Sequence, residues 1–376
     1  MLNNLKYLLK KSIANTPGWH TNRKIVVIES DDWGSIRMPS KNTLEYLISQ
    51  NLIPENDSFN KNDSLASEED LINLFEVLSN VKDKNNKPAV LTANTIVANP
   101  DFNKIEASNF EEYHFEVFTE TLKKYKKHTN SFNLWKEGIK SNIFHPQFHG
   151  REHVNINRWL NSLQDNDKNT KIAFDNKLFG LRKLESTGLR DSYMRALDFE
   201  NVDQFMTIEK SLIEGLNIFK YIFGYNSKSF IAPSYVWDYE AEKVLNEQGV
   251  KYLQGIQYQY YPKIGKRELQ KKINYIGKTN KLGQKYLIRN VFFEPTTRGR
   301  KEVVERALKR IDIAFKWKKP AIIGSHQLNY IGFINPQNRD QNLRLLKTLL
   351  DKIIQKWPNV EFMTSDQLGD LITNTK

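Results

Sequence analysis

Short apolar, β-branched runs alternate with longer amphipathic stretches along most of the chain. Buried parallel strands are typically continuous apolar runs of about four to eight residues, whereas helices repeat an apolar residue roughly every three or four positions. The apolar runs predict strands at Lys24–Glu29, Ala89–Thr95, Ile143–His149, Ser229–Pro233, Tyr252–Ile256, Tyr286–Phe293, Ala321–Ser325 and Val360–Thr364. The amphipathic stretches predict helices at Lys41–Gln50, Glu68–Val81, Glu112–Lys127, Ile156–Leu163, Asp203–Phe223, Tyr239–Gln248, Lys301–Trp317 and Arg339–Lys356. This alternation is typical of an α/β protein with a mainly parallel sheet.

The polar, irregular stretch Gln164–Asn201 interrupts the alternation. We interpret it as an insertion or a lid-like excursion, with a disordered surface loop as the alternative. At 376 residues the chain is longer than one ordinary domain, yet a single α/β barrel with insertions accounts for this length as well as two domains do. Because no internal repeat or interdomain linker stands out, residues 24–376 are predicted to form one barrel domain.

Residues 1–23 precede the first predicted strand and are interpreted as an N-terminal amphipathic extension. Its leucines would form the apolar side of a short helix with lysines opposite: Leu2, Leu5, Leu8 and Leu9. Such a helix either packs on its own domain or makes peripheral contact with a membrane surface. The apolar run is too short for a signal peptide or a transmembrane span, so the expected location is cytoplasmic.

Composition narrows the chemistry that the chain can carry. The chain has no cysteine, so disulfides, thiolate nucleophiles and cysteine-bound zinc are excluded, and any metal must bind to histidine and carboxylates. The net charge of +12 raises the question of nucleic acid. The lysines are scattered, however, without a zinc finger, RNP motif or extended basic run, so no nucleic-acid partner is expected. A basic surface suits an anionic glycan, a nucleotide-sugar or an anionic membrane face equally well.

An apolar strand runs directly into adjacent carboxylates in IVVIESDDWGS, residues 25–35. Asp31 and Asp32 follow the buried run, and desolvating a carboxylate costs several kcal/mol unless a cation compensates its charge. The alternative is that Asp32 or Ser30 caps the following turn by accepting backbone N–H bonds. The segment is therefore a candidate for either cation binding or capping.

Three of the seven histidines lie in FHPQFHGREHVN, residues 144–155, at the end of another predicted strand. His145, His149 and His153 follow one another at intervals of four residues. This spacing places two imidazoles on one face of a helical turn, which is a suitable arrangement for sharing a metal. Surface or capping histidines are the alternative, but three at this spacing favour a metal site.

Two further segments end predicted strands with chemically useful side chains. In AIIGSHQLNY, residues 321–330, His326 ends an apolar run; a lone histidine is more often structural, but this one would face the same rim as the other candidates. In SFIAPSYVWD, residues 229–238, Tyr235 and Trp237 are candidates for an aromatic wall against a sugar ring, with ordinary core as the alternative. The carboxyl ends of the strands are where the loops of a barrel build its active site.

Taken in order, SDDWG, HGREH, APSYVWD and IIGSH resemble the motifs of the polysaccharide deacetylase family, which includes chitin, xylan and peptidoglycan deacetylases. The resemblance spans residues 24 to 370 and rests on the ordered set, since no single motif is specific. It implies an α/β fold, a distorted (β/α)7-type barrel with insertions. It also implies a metal-dependent hydrolase that removes acetyl groups from an N- or O-acetylated sugar. The expected cytoplasmic location, in turn, favours a precursor in surface polysaccharide biosynthesis as the substrate.

The resemblance implies a role for each matching residue. Asp31 looks like the catalytic base and His326 like the general acid. The ligands of a divalent metal, most simply zinc with cobalt or manganese as alternatives, would be Asp32, His149 and His153.

One ligand position stays open, because His145 could substitute for one of the two chosen histidines or support them from behind. In the family, an apolar residue three places after the second histidine starts a helix. Ile156 fits this pattern after His153, which favours the pair His149 and His153.

The sequence departs from the family pattern in two places. The family arginine that orients the catalytic Asp falls near Ile231, so Arg151 or another basic residue would have to replace it. The family's fourth motif has no confident counterpart, although RNVFFEP at residues 289–295, with Arg289 and Glu294, lies where it belongs. The predicted substrate contacts are Tyr235, Trp237 and Arg151.

The implied reaction is hydrolysis of an acetyl amide or ester. Asp31 would accept the proton of the attacking water, His326 would protonate the leaving group, and the metal with the backbone N–H of Tyr235 would stabilise the oxyanion. Two alternatives stay open: a metal-free glycoside hydrolase with Glu294 as its second acid, and a non-catalytic carbohydrate-binding protein. In each case the expected partner is a carbohydrate, namely an acetylated sugar, a nucleotide-sugar or a lipid-linked glycan.

Overall fold

The computed structural model describes residues 15–181 and 189–375. The amphipathic helix predicted near the N-terminus falls on residues 1–14 and lies outside the described residues. Residues 15–23 pack against the rest of the chain: the Trp19 amide donates to the Ile276 carbonyl at 2.9 Å, and Lys319 Nζ donates to the carbonyls of Pro17 and Trp19 at 2.7 Å each. None of the described helices is long and apolar enough to cross a membrane.

The described residues form strands that we number in chain order: β1 (Lys24–Trp33), β2 (Leu91–Ile96), β3 (Ala98–Pro100), β4 (Phe115–Val117), β5 (Phe144–Gly150), β6 (Ser229–Ile231), β7 (Tyr252–Gly255), β8 (Tyr258–Tyr261), β9 (Gln270–Ile273), β10 (Lys285–Ile288), β11 (Val291–Phe292), β12 (Ala321–His326) and β13 (Val360–Met363). The α-helices are α1 (Lys41–Ser49), α2 (Ser58–Asn62), α3 (Glu68–Ser79), α4 (Phe102–Ala107), α5 (Phe118–Lys123), α6 (Ser131–Lys140), α7 (Ile156–Gln164), α8 (Lys168–Asp175), α9 (Val202–Phe223), α10 (Tyr239–Glu247), α11 (Pro295–Arg298), α12 (Val303–Lys316), α13 (Pro336–Lys356) and α14 (Ser365–Asn374). Short 3₁₀ turns occupy Leu189–Asp191, Pro233–Tyr235 and Gln327–Asn329.

One parallel sheet organises the molecule. Its strand order is β10-β7-β6-β5-β2-β1-β12-β11, and β13 pairs with the first half of β1. The two outermost strands, β10 and β11, are separated only by Arg289 and Asn290. The Arg289 amide donates to the Gly255 carbonyl of β7 at 2.8 Å, and the Asn290 amide to the Ile322 carbonyl of β12 at 3.2 Å. This short stretch therefore joins the two ends of the sheet and curls it into a distorted barrel.

Alternate residues of the central strands face opposite sides of the sheet, which separates an outer apolar layer from a more polar interior. The outward residues of β1, β2 and β12 share one buried core with helices α3, α12 and α13: Val26, Ile28, Leu91, Ala93, Ala321 and Ile323. Towards the carboxyl ends of the strands, the interior side chains are polar and hydrogen-bonded. The Gln254 amide donates to Asn94 Oδ1 at 3.0 Å, and Ser365 Oγ donates to Glu29 Oε1 at 2.7 Å. Buried polar groups that find partners in this way define a single arrangement of the interior.

The amino-terminal end of the barrel is covered by the last helix, α14. Its Leu368 and Ile372 lie in the same buried cluster as Ile25 and Val27 of β1. On its far side, Asp370 accepts a 2.6 Å hydrogen bond from the Tyr252 hydroxyl at the start of β7. Because β1 and β7 lie across the sheet from each other, the helix spans this end and leaves the carboxyl ends of the strands as the accessible rim.

The predicted fold class, an α/β distorted (β/α)7-type barrel with insertions, is confirmed. All predicted strands are present, although Tyr286–Phe293 is divided between β10 and β11. The division arises because its first half hydrogen-bonds to β7 and its second half to β12. Long apolar runs between turn residues are a strong signal for buried strands, and this explains why they were identified correctly.

Two predictions of local structure are wrong. The helix predicted at Glu112–Lys127 is reduced to α5, because Phe115–Val117 pairs in antiparallel fashion with Ala98–Pro100 as strand β4. The stretch Gln164–Asn201, predicted to be irregular, contains helix α8, which begins where the Asp167 side chain accepts a hydrogen bond from the Thr170 amide. The hairpin formed by β8 and β9 was not predicted at all.

Candidate metal centre and active site

The end of β1 delivers both carboxylates to one cavity. Asp31 pairs in register with His326 of β12 and faces the interior. Asp32 has φ +73, a left-handed conformation that Asp tolerates better than most residues, and the pairing with β2 shifts register at this point. Because of this turn, the Asp32 side chain lies on the same side of the sheet as Asp31, whereas successive residues of a regular strand face opposite sides. Backbone strain of this kind clusters at functional sites.

Asp32 and two histidines form a buried cluster. His149 Nε2 lies 3.2 Å and His153 Nε2 3.4 Å from Asp32 Oδ1, and one ligand atom from each of the three side chains lies within 4.8 Å of the others. The capping alternative is not what the structure shows, because Ser30 Oγ accepts a hydrogen bond from the Trp33 indole and Asp32 faces the imidazoles. The structure therefore brings together the three residues predicted as metal ligands.

The two histidines reach the cluster by a different route from the one predicted. His149 and Gly150 end β5, with Gly150 at φ +143, and residues 151–153 form a loop rather than a helical turn. His149 Nδ1 donates to the carbonyl of Ile231 at 2.8 Å, which fixes the ring and leaves Nε2 facing Asp32. A backbone partner on the far nitrogen is the usual support of a metal-binding histidine.

The chemistry of this cluster fits a divalent metal ion. Burial lowers the pKa of His153 to about 4, so its imidazole is neutral near neutral pH. Burial raises the pKa of Asp32, but His153 and His149 outweigh it and hold this carboxyl well below its usual range. His153 Nδ1 is buried and has no hydrogen-bond partner among the described residues. Two imidazoles and one carboxylate are a typical protein contribution to a catalytic zinc site, and the set does not by itself identify the metal.

Asp31 is held by an arginine from the strand that closes the barrel. Arg289 Nη2 lies 2.6 Å from Asp31 Oδ1 and Nη1 lies 2.7 Å from Oδ2, while its Nε donates to Glu29 at 2.6 Å. The amide of Asn94 donates to Asp31 Oδ1 at 2.8 Å. Burial raises the pKa of Asp31, but the Arg289 guanidinium outweighs it and leaves the value at about 2. Asp31 is therefore a carboxylate with a fixed orientation.

The structure places Arg151 elsewhere. This residue was predicted to contact substrate and to replace the missing family arginine, but Arg289 occupies that position beside Asp31. The Arg151 side chain turns away from the cavity because it pairs with Glu152 and Glu214 and lies over the Phe115 ring at 4.3 Å. Arg151 is close to His149 and His153 in sequence, but its side chain does not line the cavity that they share.

The two predicted aromatic contacts separate in the structure. Trp237 is 1% exposed, donates through Nε1 to Glu242 at 3.1 Å and belongs to the core, so it does not line the cavity. Tyr235 does line the cavity, and its hydroxyl accepts from Arg289 Nη1 at 3.1 Å. The backbone N–H of Tyr235 already donates to the Ala232 carbonyl at 3.0 Å, so it is not available as the predicted oxyanion donor.

His326 lines the same cavity as Asp31 and the cluster of Asp32, His149 and His153. Its Nε2 is 3.8 Å from Asp31 Oδ2, and its Nδ1 donates to Glu294 Oε1 at 2.6 Å. Burial lowers the pKa of His326, but the Glu294 carboxylate outweighs burial and raises the value to about 10. The sequence interpretation named Glu294 as a candidate second acid and as part of the segment at the place of the family's fourth motif; only the folded structure shows it as the partner of His326.

These groups share one cavity of about 250 Å³ at the carboxyl-terminal rim of the barrel. Besides the two Asp residues and three histidines, its walls include Tyr235, Phe59, Met194 and Arg37. His145 lies apart from it, with Nε2 3.2 Å from Asp366 Oδ1 and its ring stacked on Tyr225. The open question of a substitute ligand is thereby answered: His145 is not part of the cluster.

No protein-family model matches the sequence, and no curated protein matches it. Solved structures give low-similarity matches. A putative glycoside hydrolase/deacetylase from Parabacteroides distasonis is 9% identical, with TM-score 0.49 and coverage of 94% of this chain and 72% of that one. A putative polysaccharide deacetylase from Mycobacterium smegmatis is 9% identical, with TM-score 0.43 and coverage of 95% and 93%.

The 4-alpha-glucanotransferase from Thermococcus litoralis is 10% identical, with TM-score 0.44 over 94% of this chain, which spans only 41% of the length of that protein. At these identities and TM-scores, the matches carry no conclusion about activity. The fold therefore rests on the strand order and the hydrogen bonds given above, and the candidate site rests on its own geometry.

Proposed function

We propose that this chain is a divalent-metal-dependent hydrolase that removes acetyl groups from a carbohydrate. The observation that carries the proposal is that one cavity holds the buried cluster of Asp32, His149 and His153 together with Asp31 and His326. His326 Nε2 lies 3.8 Å from Asp31 Oδ2. A candidate cation site, a proton acceptor and a proton donor in one cavity are the groups that hydrolysis of an acyl bond needs.

The two groups assigned to proton transfer have opposite protonation states near neutral pH. Asp31, with its pKa held at about 2 by Arg289, is a carboxylate that can accept a proton. His326, with its pKa raised to about 10 by Glu294, is an imidazolium that can donate one. Neighbouring titratable groups whose environments push their pKa values apart are a general sign of an acid–base pair.

The residues divide the reaction among themselves. Asp32, His149 and His153 would hold the cation, which would supply polarisation of the acetyl carbonyl and activation of water. Asp31 takes a proton from the attacking water as the water oxygen bonds to the acetyl carbon. His326 then transfers its Nε2 proton to the departing nitrogen or oxygen of the sugar, and the second product is acetate. Arg289 and Glu294 do not react; they hold Asp31 and His326 in orientation.

The carbohydrate assignment is supported by the walls of the cavity. Tyr235 and Phe59 present aromatic rings beside polar and charged groups, a combination that suits a sugar ring with its apolar faces and hydroxyl edges. The ordered resemblance of the four sequence motifs points to the same substrate class. The metal most suited to two imidazoles and a carboxylate is zinc, with cobalt and manganese as alternatives.

The proposal is tested by acetate release from N- and O-acetylated sugars with protein loaded with zinc, cobalt or manganese. Asp31→Asn removes the proton acceptor without removing a ligand, so activity should fall by roughly 10²–10⁴-fold while metal content stays unchanged. His326→Ala should cost more with an N-acetyl substrate than with an activated O-acetyl ester, because an amine leaves poorly without a proton.

Failure to bind any of these metals would contradict the hydrolytic mechanism. Metal binding without acetate release would instead favour the non-catalytic carbohydrate-binding protein. The metal-free glycosidase alternative needs Glu294 as a reacting acid, yet this carboxylate is already occupied by His326 and by the Asn329 amide at 2.8 Å.

A further inference from the structure

Arg37 faces the same cavity as the proposed catalytic groups but has no part in the mechanism. It lies in the loop that follows β1, and both neighbouring residues are anchored. The Ile36 amide donates to Asn99 Oδ1 at 2.9 Å, and the Met38 amide donates to the Asp63 carbonyl at 3.1 Å. The backbone that carries Arg37 is therefore fixed, and its direction into the cavity is built into the loop.

The guanidinium of Arg37 is also held from one side. Its Nε lies 3.3 Å from Asp63 Oδ2, and its Cζ lies 4.8 Å from the centre of the Phe59 ring. Asp63 is in turn fixed by the Gln327 amide, which donates to Oδ1 at 3.0 Å. With 11% of its side chain exposed, Arg37 is a preorganised cation at the wall of a confined space.

The terminal nitrogens of Arg37 set it apart from Arg289, the buried arginine beside Asp31. Arg289 uses Nε, Nη1 and Nη2 in hydrogen bonds to Glu29 and Asp31. By contrast, no residue in the described ranges accepts a hydrogen bond from Nη1 or Nη2 of Arg37. A half-buried guanidinium strongly favours hydrogen bonds to an anion, since charge-assisted bonds gain strength where water is scarce.

We infer that Arg37 is a specificity-determining residue that binds a negatively charged group on the sugar whose acetyl group is removed. The inference rests on the proposed function for the identity of the reacting group. The planar fork of a guanidinium matches the oxygen spacing of a carboxylate or a phosphate, so the substrate class is an acetylated sugar acid or sugar phosphate. Arg37 positions this substrate and takes no proton during the reaction.

Binding of sugars that lack an acetyl group tests this inference without relying on turnover. Titration calorimetry of the metal-loaded chain would compare glucose, glucuronate and glucose 1-phosphate, so that the last two distinguish a carboxylate from a phosphate. At least one anion should bind the wild type about tenfold or more tightly than glucose. Arg37→Gln should remove that preference, and Arg37→Lys should keep part of it, because a lysine retains the charge but loses the fork.

The control is Arg344→Gln, which removes the same charge from the exposed surface of α13 and should leave all three affinities unchanged. Metal content and the unfolding midpoint are measured for each variant, and Arg37→Lys serves if Arg37→Gln does not fold. Equal affinity of the wild type for charged and neutral sugars, or an anion preference that survives both Arg37 substitutions, would overturn the inference. This test is distinguishable from the test of the proposed function. Acetate release can fail while the Arg37-dependent preference for anions persists, and acetate release can succeed while that preference is absent.

Discussion

Strand β5 carries a histidine towards each end of the barrel, and each histidine meets an Asp carboxylate. His149 Nε2 lies 3.2 Å from Asp32 Oδ1 at the carboxyl-terminal rim, and His145 Nε2 lies 3.2 Å from Asp366 Oδ1 at the opposite end. The two contacts are the same in length and chemistry. They differ in their surroundings, and the surroundings determine what each contact can do.

The pair at the amino-terminal end has a structural explanation. Asp366 lies in the first turn of α14, where the helix dipole favours a negative charge, and it accepts a 2.6 Å hydrogen bond from the Thr364 hydroxyl. His145 stacks on Tyr225 at a centroid distance of 5.6 Å. Within residues 15–181 and 189–375, no third metal-type donor joins this pair.

The pair at the rim has what the other pair lacks. His153 brings a third donor, the strained backbone of Asp32 turns its carboxylate into the cavity, and Asp31 and His326 stand beside it. The comparison teaches that contact between a histidine and a carboxylate does not identify a metal centre. A third donor and access for substrate are also required.

The largest expected effect is on metal binding. His149→Ala removes a central donor of the rim cluster, so the chain should lose its bound metal, whereas His145→Ala should keep about one ion per chain. Elemental analysis of both variants after metal loading and dialysis measures this difference. Loss of metal from both variants to the same extent would erase the distinction between the two ends.

Replacing the buried arginine should produce the next largest effect, on the free energy of unfolding. Arg289→Met leaves the fully buried Glu29 and Asp31 without their cation and should destabilise the fold by about 3–5 kcal/mol. At the opposite end, Lys228 and Asp370 form a pair with side chains 44% and 38% exposed. Lys228→Met should cost only about 0.2–1 kcal/mol. Denaturant unfolding of both variants gives the two values, and similar costs would contradict the contrast.

A change in pH dependence is expected when Glu294 loses its charge. The proposed reaction requires protonated His326, so activity should fall as pH rises through the pKa of this group. Glu294 is what raises that pKa, so Glu294→Gln should move the alkaline limb of the pH–rate profile downward by roughly 1–3 pH units. Initial rates of acetate release across the alkaline range measure the shift. An unmoved limb would show that another group controls it.

The smallest expected effect is on stability at the amino-terminal end. Burial raises the pKa of Asp366, but the interaction with His145 outweighs burial, and the net change in this pKa is downward. The interaction therefore stabilises the fold near neutral pH, and this stabilisation is lost as pH falls through the folded-state pKa of Asp366. His145→Ala should therefore lower the free energy of unfolding by about 1 kcal/mol or less near neutral pH. Unfolding is measured for the variant and the wild type at neutral and at acidic pH. The two proteins should differ in free energy of unfolding at neutral pH and agree at acidic pH.

Much of the rim could be predicted from the chain itself, because parallel strands carry their functional residues at one edge. Asp31, Asp32, His149, His153 and His326 all follow or end apolar runs, and the fold brings every one of them to the same cavity. Their roles as ligands and proton carriers stay predictions. The helical-turn explanation for the histidine spacing is wrong, since β5 continues to Gly150 and residues 151–153 form a loop.

The partners of these residues could not be predicted in the same way. Arg289 is 258 positions away from Asp31 in sequence, and Glu294 is 32 positions away from His326. Arg151 was chosen because it is adjacent to the histidines, but neighbouring side chains at a strand end point in different directions. No local pattern indicates which distant cation will neutralise a buried carboxylate.

The sequence by itself determined the strands of the main parallel sheet, most of the helices between them and the edge at which the candidate residues lie, because hydrophobic periodicity is a local property of the chain. Only the tertiary structure decided that Arg289 orients Asp31 and that Glu294 is the hydrogen-bond partner of His326. It also decided that His145 lies at the opposite end of the barrel from the cluster of Asp32, His149 and His153. The physical reason is that neutralising a buried charge and grouping three candidate metal ligands both depend on distances through space. Those distances are set by how the curled sheet closes, through the short stretch between β10 and β11.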